Sequence, residues 1–514
     1  MVGRPDSNSD ATIIGVKDIS RRELGAPMSE SMLETDRPPV ALRIGHERVS
    51  TASGGVYQHV NPCNGRPDAT VPMAGELEVD RAVDSAHRAF LDWRRVKSAE
   101  RRRVLLRLAD LVEAHAEDFA QLGAMDNGTP TSIGHYMVGL SVEWTRYYAG
   151  WADKISGDVT AALRTEGEFS YTLAQPYGVI GAIITWNGPL ISLAMKVPPA
   201  LAAGNTVVVK PSELTPFTAG LFADLAQEAG IPPGVVNIVT GGADAGAALV
   251  RHPLVTKISF TGGPDTARRI MHTCADEIKP VVMELGGKSG NIIFEDADLD
   301  AACSAGTISS VGIMSGQGCA FPTRMIVARP IYGEVVDRVA AIANSIKVGD
   351  PFAPDTLAGP VVNEQAVQRI TGMVGQAQRD GARLITGGRR LGGELAEGYY
   401  FAPTVFADVD PKAELAQKEV FGPVLSIIPF DDEQEAVEIA NGTPYGLSGY
   451  IYTNDLRRAH RVAEDLETGE VLINGAVNLG VTRPFGGIGV SGMGKEGGRE
   501  GLYEFVRIKT VSMT

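Results

Sequence analysis

Val179-Ile180-Gly181-Ala182-Ile183-Ile184, followed by Thr206-Val207-Val208-Val209, decides how this chain reads. Both runs are almost continuously apolar and rich in β-branched residues, as expected of strands buried on both faces of a parallel sheet. Three more runs of this kind follow at Val235–Val239, Lys257–Phe260 and Val281–Met283. Between them, Phe217–Ala229 and Asp265–Ala275 have the length of crossover helices. A strand, a helix and a parallel strand are joined by right-handed connections, so successive βαβ units follow. Upstream, Val79, Val83, Ala86 and Phe90, then Val104, Leu105, Leu108, Leu111 and Val112, recur at helical period. Arg101, Arg102, Asp110 and Glu113 fall between them, which predicts two amphipathic helices.

The α/β pattern is that of a Rossmann-like nucleotide-binding sheet. With 514 residues, the chain exceeds the roughly 250–300 at which one hydrophobic core stops growing, so two or more domains are expected. A second α/β region is expected to begin near residue 288 and to hold Cys319. Turn-forming strings mark it at Val348-Gly349-Asp350-Pro351, Gly359-Pro360 and Asn441-Gly442-Thr443-Pro444. The net charge of −15, from 47 basic and 62 acidic residues, argues against a sequence-independent nucleic-acid binder, which needs a cationic face. The four cysteines, Cys63, Cys274, Cys303 and Cys319, are too scattered for a disulfide framework, and no Cys-x-x-Cys pair offers a metal site. A reducing compartment fits that usage. No run of about 18 apolar residues spans a bilayer and the N-terminus has no apolar signal core, so the expected location is cytoplasmic, with no membrane partner. Residues 1–39 are polar and acidic, with Ser7-Asn8-Ser9-Asp10 and Pro38-Pro39, and read as a disordered or extended segment.

Two strings carry chemistry: Glu284-Leu285-Gly286-Gly287 and Gly316-Gln317-Gly318-Cys319. A thiolate adds to a carbonyl carbon and later leaves from a thioester, and a nearby carboxylate can deprotonate the water that cleaves it. Glycines beside the cysteine keep its sulfur and amide approachable. A lone Gly-Cys pair more often marks a buried structural cysteine, so the assignment needs support from the rest of the chain.

That support is a set of strings in order: Thr185-Trp186-Asn187, Val209-Lys210-Pro211-Ser212-Glu213, Phe260-Thr261-Gly262-Gly263, the two strings above, Glu419-Val420-Phe421-Gly422-Pro423 and Pro484-Phe485-Gly486-Gly487. With them the chain resembles the NAD(P)-dependent aldehyde dehydrogenase superfamily, of the hydrolytic, non-acylating type, from about residue 40 to the C-terminus. The resemblance implies an NAD-binding domain at 40–156 and 178–287, a catalytic domain at 288–498, and a small β oligomerisation element at 157–177 and 499–514. A homodimer or homotetramer is expected from it.

The same resemblance implies roles for residues. Cys319 is the nucleophile, Glu284 the base for water, and the Asn187 side chain with the Cys319 amide holds the oxyanion. A thiol with an ordinary pKa of about 8.5 needs positive potential to ionise at neutral pH, and Lys196 is the matching candidate, acting at a distance. The turn Thr261-Gly262-Gly263 and the helix after it would face the pyrophosphate of the cofactor. Pro264 enters that turn and Ala267 stands where relatives commonly have glycine; proline suits a first helical turn and alanine still packs closely. Lys210 and Glu213 would contact the adenosine ribose, and the Glu213 carboxylate favours NAD, with NADP as a poorer alternative. Glu419 would hold the nicotinamide ribose, with Phe421, Trp186, Thr261 and Leu285 around the ring.

The implied reaction is oxidation of an aldehyde to the acid. Coenzyme-A-acylating and phosphorylating relatives, and a catalytically inactive nucleotide-binding relative, are the alternatives; Glu284 favours hydrolysis, no distinctive basic signature for a phosphate is seen, and the retained Asn187, Glu284 and Cys319 weigh against inactivity. Gly188, where many relatives carry a large aromatic, with Ser192 and Met195 on the expected pocket wall, points to a bulky uncharged aldehyde. Phe321-Pro322 beyond the nucleophile narrows the same tunnel.

Overall fold

The computed structural model describes residues 37–161 and 166–514. The expectation for residues 1–39 therefore falls mostly outside the described residues. The buried runs form the strands Val179–Ile183, Thr206–Lys210, Val236–Ile238, Val255–Thr261 and Val281–Glu284. All five are parallel to one another and stand in the order 236–238, 206–210, 179–183, 255–261, 281–284. Every residue of Val179–Ile183 and Thr206–Lys210 is buried, as a sheet covered on both faces requires. The crossover helices are Phe217–Glu228 and Pro264–Asp276. Helices Glu76–Trp93 and Ser98–Ala114 precede the sheet where periodicity places them.

Short antiparallel strands finish the edges of this sheet. Leu42–Ile44 pairs with Val236–Ile238 on one side, and Gly492–Met493 pairs with Val281–Glu284 on the other. The last strand comes from the range expected to be catalytic, so the C-terminal part of the chain returns to the first sheet. A second, seven-stranded sheet runs in the order 383–386, 404–407, 424–430, 324–328, 290–293, 448–452, 470–473 and is parallel except at its 383–386 edge. A separate antiparallel sheet joins Val506–Met513 to Phe169–Pro176 and Val159–Thr160. Among the described residues no helix is long and apolar enough to cross a membrane.

The two large sheets are linked by a crossing of five residues. Val281–Glu284 ends the first, Gly290–Ile293 begins the second, and Leu285 to Ser289 run between them. Two fully buried side chains hold that crossing. Ser491 accepts a bond from the Gly446 amide at 3.0 Å and donates to the Gly286 carbonyl at 2.7 Å. Arg324 donates to the carbonyls of Lys288, Ile439 and Ala440, each at 2.8 Å. Its guanidinium has five N–H donors in a fixed fork, which suits three carbonyls better than a lysine does. Arg324→Met should leave these acceptors without a donor, at about 1–3 kcal/mol for each one stranded in the interior. A lowered melting temperature by calorimetry is the expected result, and an unchanged one would contradict the clamp.

Candidate active site

A cavity of ≈ 340 Å³ opens at the carboxyl ends of the first sheet's strands and reaches the turns that lead into strands of the second sheet. Open α/β sheets bind ligands in this position because successive loops diverge there. Ile183 ends one strand and leads to Thr185, Trp186 and Asn187; Thr261 ends another and leads to Gly262 and Gly263; Glu284 ends a third. Apart from Ile183, all of these line the cavity together with Leu285, Cys319, Glu419 and Phe421. Chain segments far apart in sequence therefore meet around one space.

Asn187 is held by its neighbours. Its Oδ1 accepts from Thr185 Oγ1 at 2.9 Å and its Nδ2 donates to the Gln317 carbonyl at 2.8 Å. An amide nitrogen has two protons, so one remains for a ligand. Gln317 is itself pinned: Nε2 donates to the Met314 carbonyl at 3.0 Å and Oε1 accepts from the Val362 amide at 3.0 Å. Two residues on, Cys319 is partly exposed at the cavity wall and forms no disulfide. Burial, then the Glu419 and Glu284 carboxyls, push its thiol up to about 12.

Glu284 is buried, and neither carboxylate oxygen has a hydrogen-bond partner among the described residues. Burial first and the Glu496 carboxylate second raise its pKa well above the usual range, against the opposing charges of Lys196 and Lys495. Lys196 lies in the buried helix Pro189–Ala202. Its Nζ donates to Ser259 Oγ at 3.0 Å and pairs with Glu496. The expectation has Lys196 acting on the Cys319 thiol at a distance; the contacts of its ammonium are with Ser259 and Glu496. Its charge is compensated by Glu496 and acts on Glu284, and the charged groups that raise the thiol are both carboxylates.

Glu419 reaches the crossing between the sheets. Its Oε1 accepts from the Gly287 amide at 3.1 Å, and burial raises it to about 7. A β-carbon on Gly286 would collide with this carboxylate, and one on Gly287 would collide with the Cys319 carbonyl. At Gly287 the neighbour is backbone, so only glycine allows the approach; at Gly286 a β-carbon would displace the Glu419 carboxylate. Phe421 has φ 49°, a left-handed conformation rare for a large residue. Arg369 stabilises it by donating to the carbonyls of Val420 and Phe421, both at 3.2 Å. The Phe421 ring meets Trp186 edge-on, with centroids 5.4 Å apart.

The Thr261-Gly262-Gly263 turn leads into the helix Pro264–Asp276 with Gly263 as N-cap and Pro264 in the first turn, and Ala267 packs in the core. Gly262 donates its amide to the Glu284 carbonyl at 3.0 Å, tying this turn to the strand that carries Glu284. Lys210 and Glu213 do not line the cavity. Lys210 ends its strand at the same sheet edge, and its Nζ donates to the Gly241 carbonyl at 2.6 Å. Burial lowers the Lys210 pKa, partly offset by Glu213. Gly188, Ser192, Met195 and Phe321 all line the cavity as expected, joined by Met137, Ile191 and Leu479. Sequence reasoning missed Asn127, Gln317, Arg369, Ser491 and Glu496 as supports, because each acts through backbone carbonyls or a partner far along the chain.

Comparison with known proteins agrees with this architecture. The model of the aldehyde dehydrogenase family matches residues 49–511. An aldehyde dehydrogenase of Enchytraeus buchholzi is 42% identical, over 91% of this chain and 94% of its own length. The mitochondrial aldehyde dehydrogenase of Homo sapiens is 40% identical over 96% of each chain. The structure of an aldehyde dehydrogenase from Bacillus cereus in complex with NAD+ superposes with a TM-score of 0.91, at 38% identity, covering 95% of this chain and 99% of that one. The chain belongs to the aldehyde dehydrogenase family.

Proposed function

We propose that this protein oxidises an aldehyde to the carboxylic acid and reduces NAD, through a thioester on Cys319. The observation that carries this reading is the convergence of Cys319, Asn187 and an unpartnered Glu284 on one cavity wall. The residues present also fit NAD. Gly262 and Gly263 open a helix of 13 residues whose N-terminus favours a pyrophosphate. Glu419 uses Oε1 on Gly287, and among the described residues Oε2 accepts no hydrogen bond, which suits a ribose hydroxyl. Bound NAD would supply a hydride acceptor.

The protein's own groups do the rest. Cys319 gives up its thiol proton to solvent and its Sγ adds as the thiolate to the aldehyde carbon, and the oxyanion so formed accepts from the free Asn187 Nδ2 proton and the Cys319 amide. Donors of this type contribute about 2.7–4 kcal/mol each to such transition states. After hydride loss the carbon is a thioester of Cys319. Glu284 takes a proton from water, the hydroxide adds, the thiolate leaves, and the acid is released. Transfer of the acyl group to coenzyme A needs no base for water, so Glu284 supports hydrolysis over the acylating alternative, and the absence of a distinctive basic signature weighs against the phosphorylating one.

Other parts of the reading follow the same logic. The ranges 40–156 with 178–287 are taken as NAD-binding and 288–498 as catalytic. The ranges 157–177 and 499–514 are taken as the oligomerisation element: the antiparallel sheet of Val159–Thr160, Phe169–Pro176 and Val506–Met513 leaves Val159, Phe169, Leu173, Ile508 and Met513 exposed, and apolar surface of this kind supports a homo-oligomer. Cytoplasmic location is part of the proposal. Ile191, Met195, Phe321, Leu479 and Met137 give the substrate side an apolar wall, which supports an uncharged, bulky aldehyde.

NADH formation at 340 nm over an aldehyde panel tests the assignment. Activity with NAD and no coenzyme A is expected, with benzaldehyde or long-chain aldehydes turned over better than acetaldehyde; activity only with coenzyme A would contradict hydrolysis. A second test uses Glu496→Gln. The Glu496 carboxylate raises the Glu284 pKa, and its removal leaves the Lys196 charge, which lowers it, uncompensated. The acid limb of the kcat profile should therefore move to lower pH, and an unmoved or upward-shifted limb would show that Glu284 does not set it.

A further inference from the structure

The helix Ala116–Asn127 ends against the active-site loops. Asn127 is buried, and its side chain is fully engaged. Nδ2 donates to the Trp186 carbonyl at 2.8 Å and the Asn187 carbonyl at 3.4 Å, while Oδ1 accepts from the Thr129 amide at 3.0 Å and Thr129 Oγ1 at 2.6 Å. The backbone under Asn187 is thus bound from below, while Thr185 and Gln317 bind its side chain from beside.

The next residue touches the other half of the site. Gly128 closes the helix in the left-handed conformation, φ 75°. Its carbonyl lies so near Gly359 that a β-carbon there would overlap it. The Gly359 carbonyl in turn accepts from Ser315 Oγ at 2.6 Å. Ser315 and Met314 have φ of 49° and 50°, and they open the turn that carries Gly316, Gln317, Gly318 and Cys319. Left-handed non-glycine residues persist only where the surroundings hold them, and the buried Ser315–Gly359 bond is such a restraint.

We propose that the Asn127–Gly128 corner is a positioning element that fixes Asn187 relative to Cys319. It binds the backbone beneath Asn187 directly and reaches the turn beneath Cys319 through Gly359 and Ser315. Neither Asn127 nor Ser315 touches reacting atoms. The inference rests on the oxyanion role given to Asn187 above. Geometry of this sort matters because a displacement of about 1 Å between reacting groups can cost about 100-fold in rate.

The test uses the full-length enzyme and two variants, N127D and S315A. Aspartate keeps the Oδ1 acceptor for Thr129 and replaces only the donor to the two carbonyls. In N127D, kcat should fall about 10–100-fold while the KM for NAD changes by no more than about 2-fold, and the crystal structure should show the Asn187 amide moved off the Gln317 carbonyl. In S315A the same split between kcat and KM is expected, with the Cys319 turn displaced and Asn187 in place. Unchanged kcat, a kcat loss matched by KM, or an N127D structure with the Asn187–Gln317 bond intact would overturn the proposal. Should N127D not fold, S315A decides it by the same criteria. If the unsubstituted enzyme oxidises no aldehyde, the dehydrogenase reading fails, and the crystallographic comparison still decides the positioning claim.

Discussion

Two glycines without β-carbons, Gly286 and Gly287, carry the chain from one sheet to the other between the Glu419 carboxylate and the Cys319 carbonyl. Much of the site depends on this crossing. Glu284 is the last residue before it, and Gly290 begins the second sheet soon after it. Base, nucleophile turn and Glu419 are therefore gathered at one crossing, by the close backbone approach of Gly287 to Cys319 and by the Glu419 carboxylate on the Gly287 amide. Ser491 and Arg324 secure the crossing by bonding carbonyls at Gly286 and Lys288. Buried polar groups of this kind stabilise only when satisfied, and both are.

Electrostatics follow from the same enclosure. Burial raises the Cys319 thiol to about 12 and Glu419 to about 7, and holds Glu284 well above the ordinary carboxylate range. Without ligand this enclosure favours the neutral form of each of these groups over the charged one. That state avoids the cost of placing several negative charges in a poorly solvated space. The Lys196–Glu496 pair lies beneath it, compensated within itself and bearing on Glu284 with both signs of charge. Chemistry at Cys319 then requires ligand binding or proton loss to shift this balance.

The parallel sheet was legible because strands buried on both faces must be apolar at every position, and Val179–Ile183 and Thr206–Lys210 have that pattern almost unbroken. The helices at 76–93 and 98–114 were legible from their period. The convergence of Cys319, Glu284 and Asn187 on one cavity rested on ordered strings, not on any local property of those residues. What stayed hidden depends on contacts remote in sequence. Glu496 pairs with Lys196 from the far end of the chain, a partnership that nothing local to Lys196 announces. Asn127, Arg369 and Ser491 resemble ordinary polar residues until their carbonyl partners are known. Gly492–Met493 joins a sheet that its position in the sequence does not suggest.

The most direct test of the account is mass spectrometry of Glu284→Gln quenched after mixing with NAD and an aldehyde. Loss of the base should let the thioester accumulate, so the peptide containing Cys319 should gain the mass of the acyl group as NADH appears in a single burst. No adduct, or an adduct on Cys63, Cys274 or Cys303 instead, would contradict the assignment of nucleophile and base.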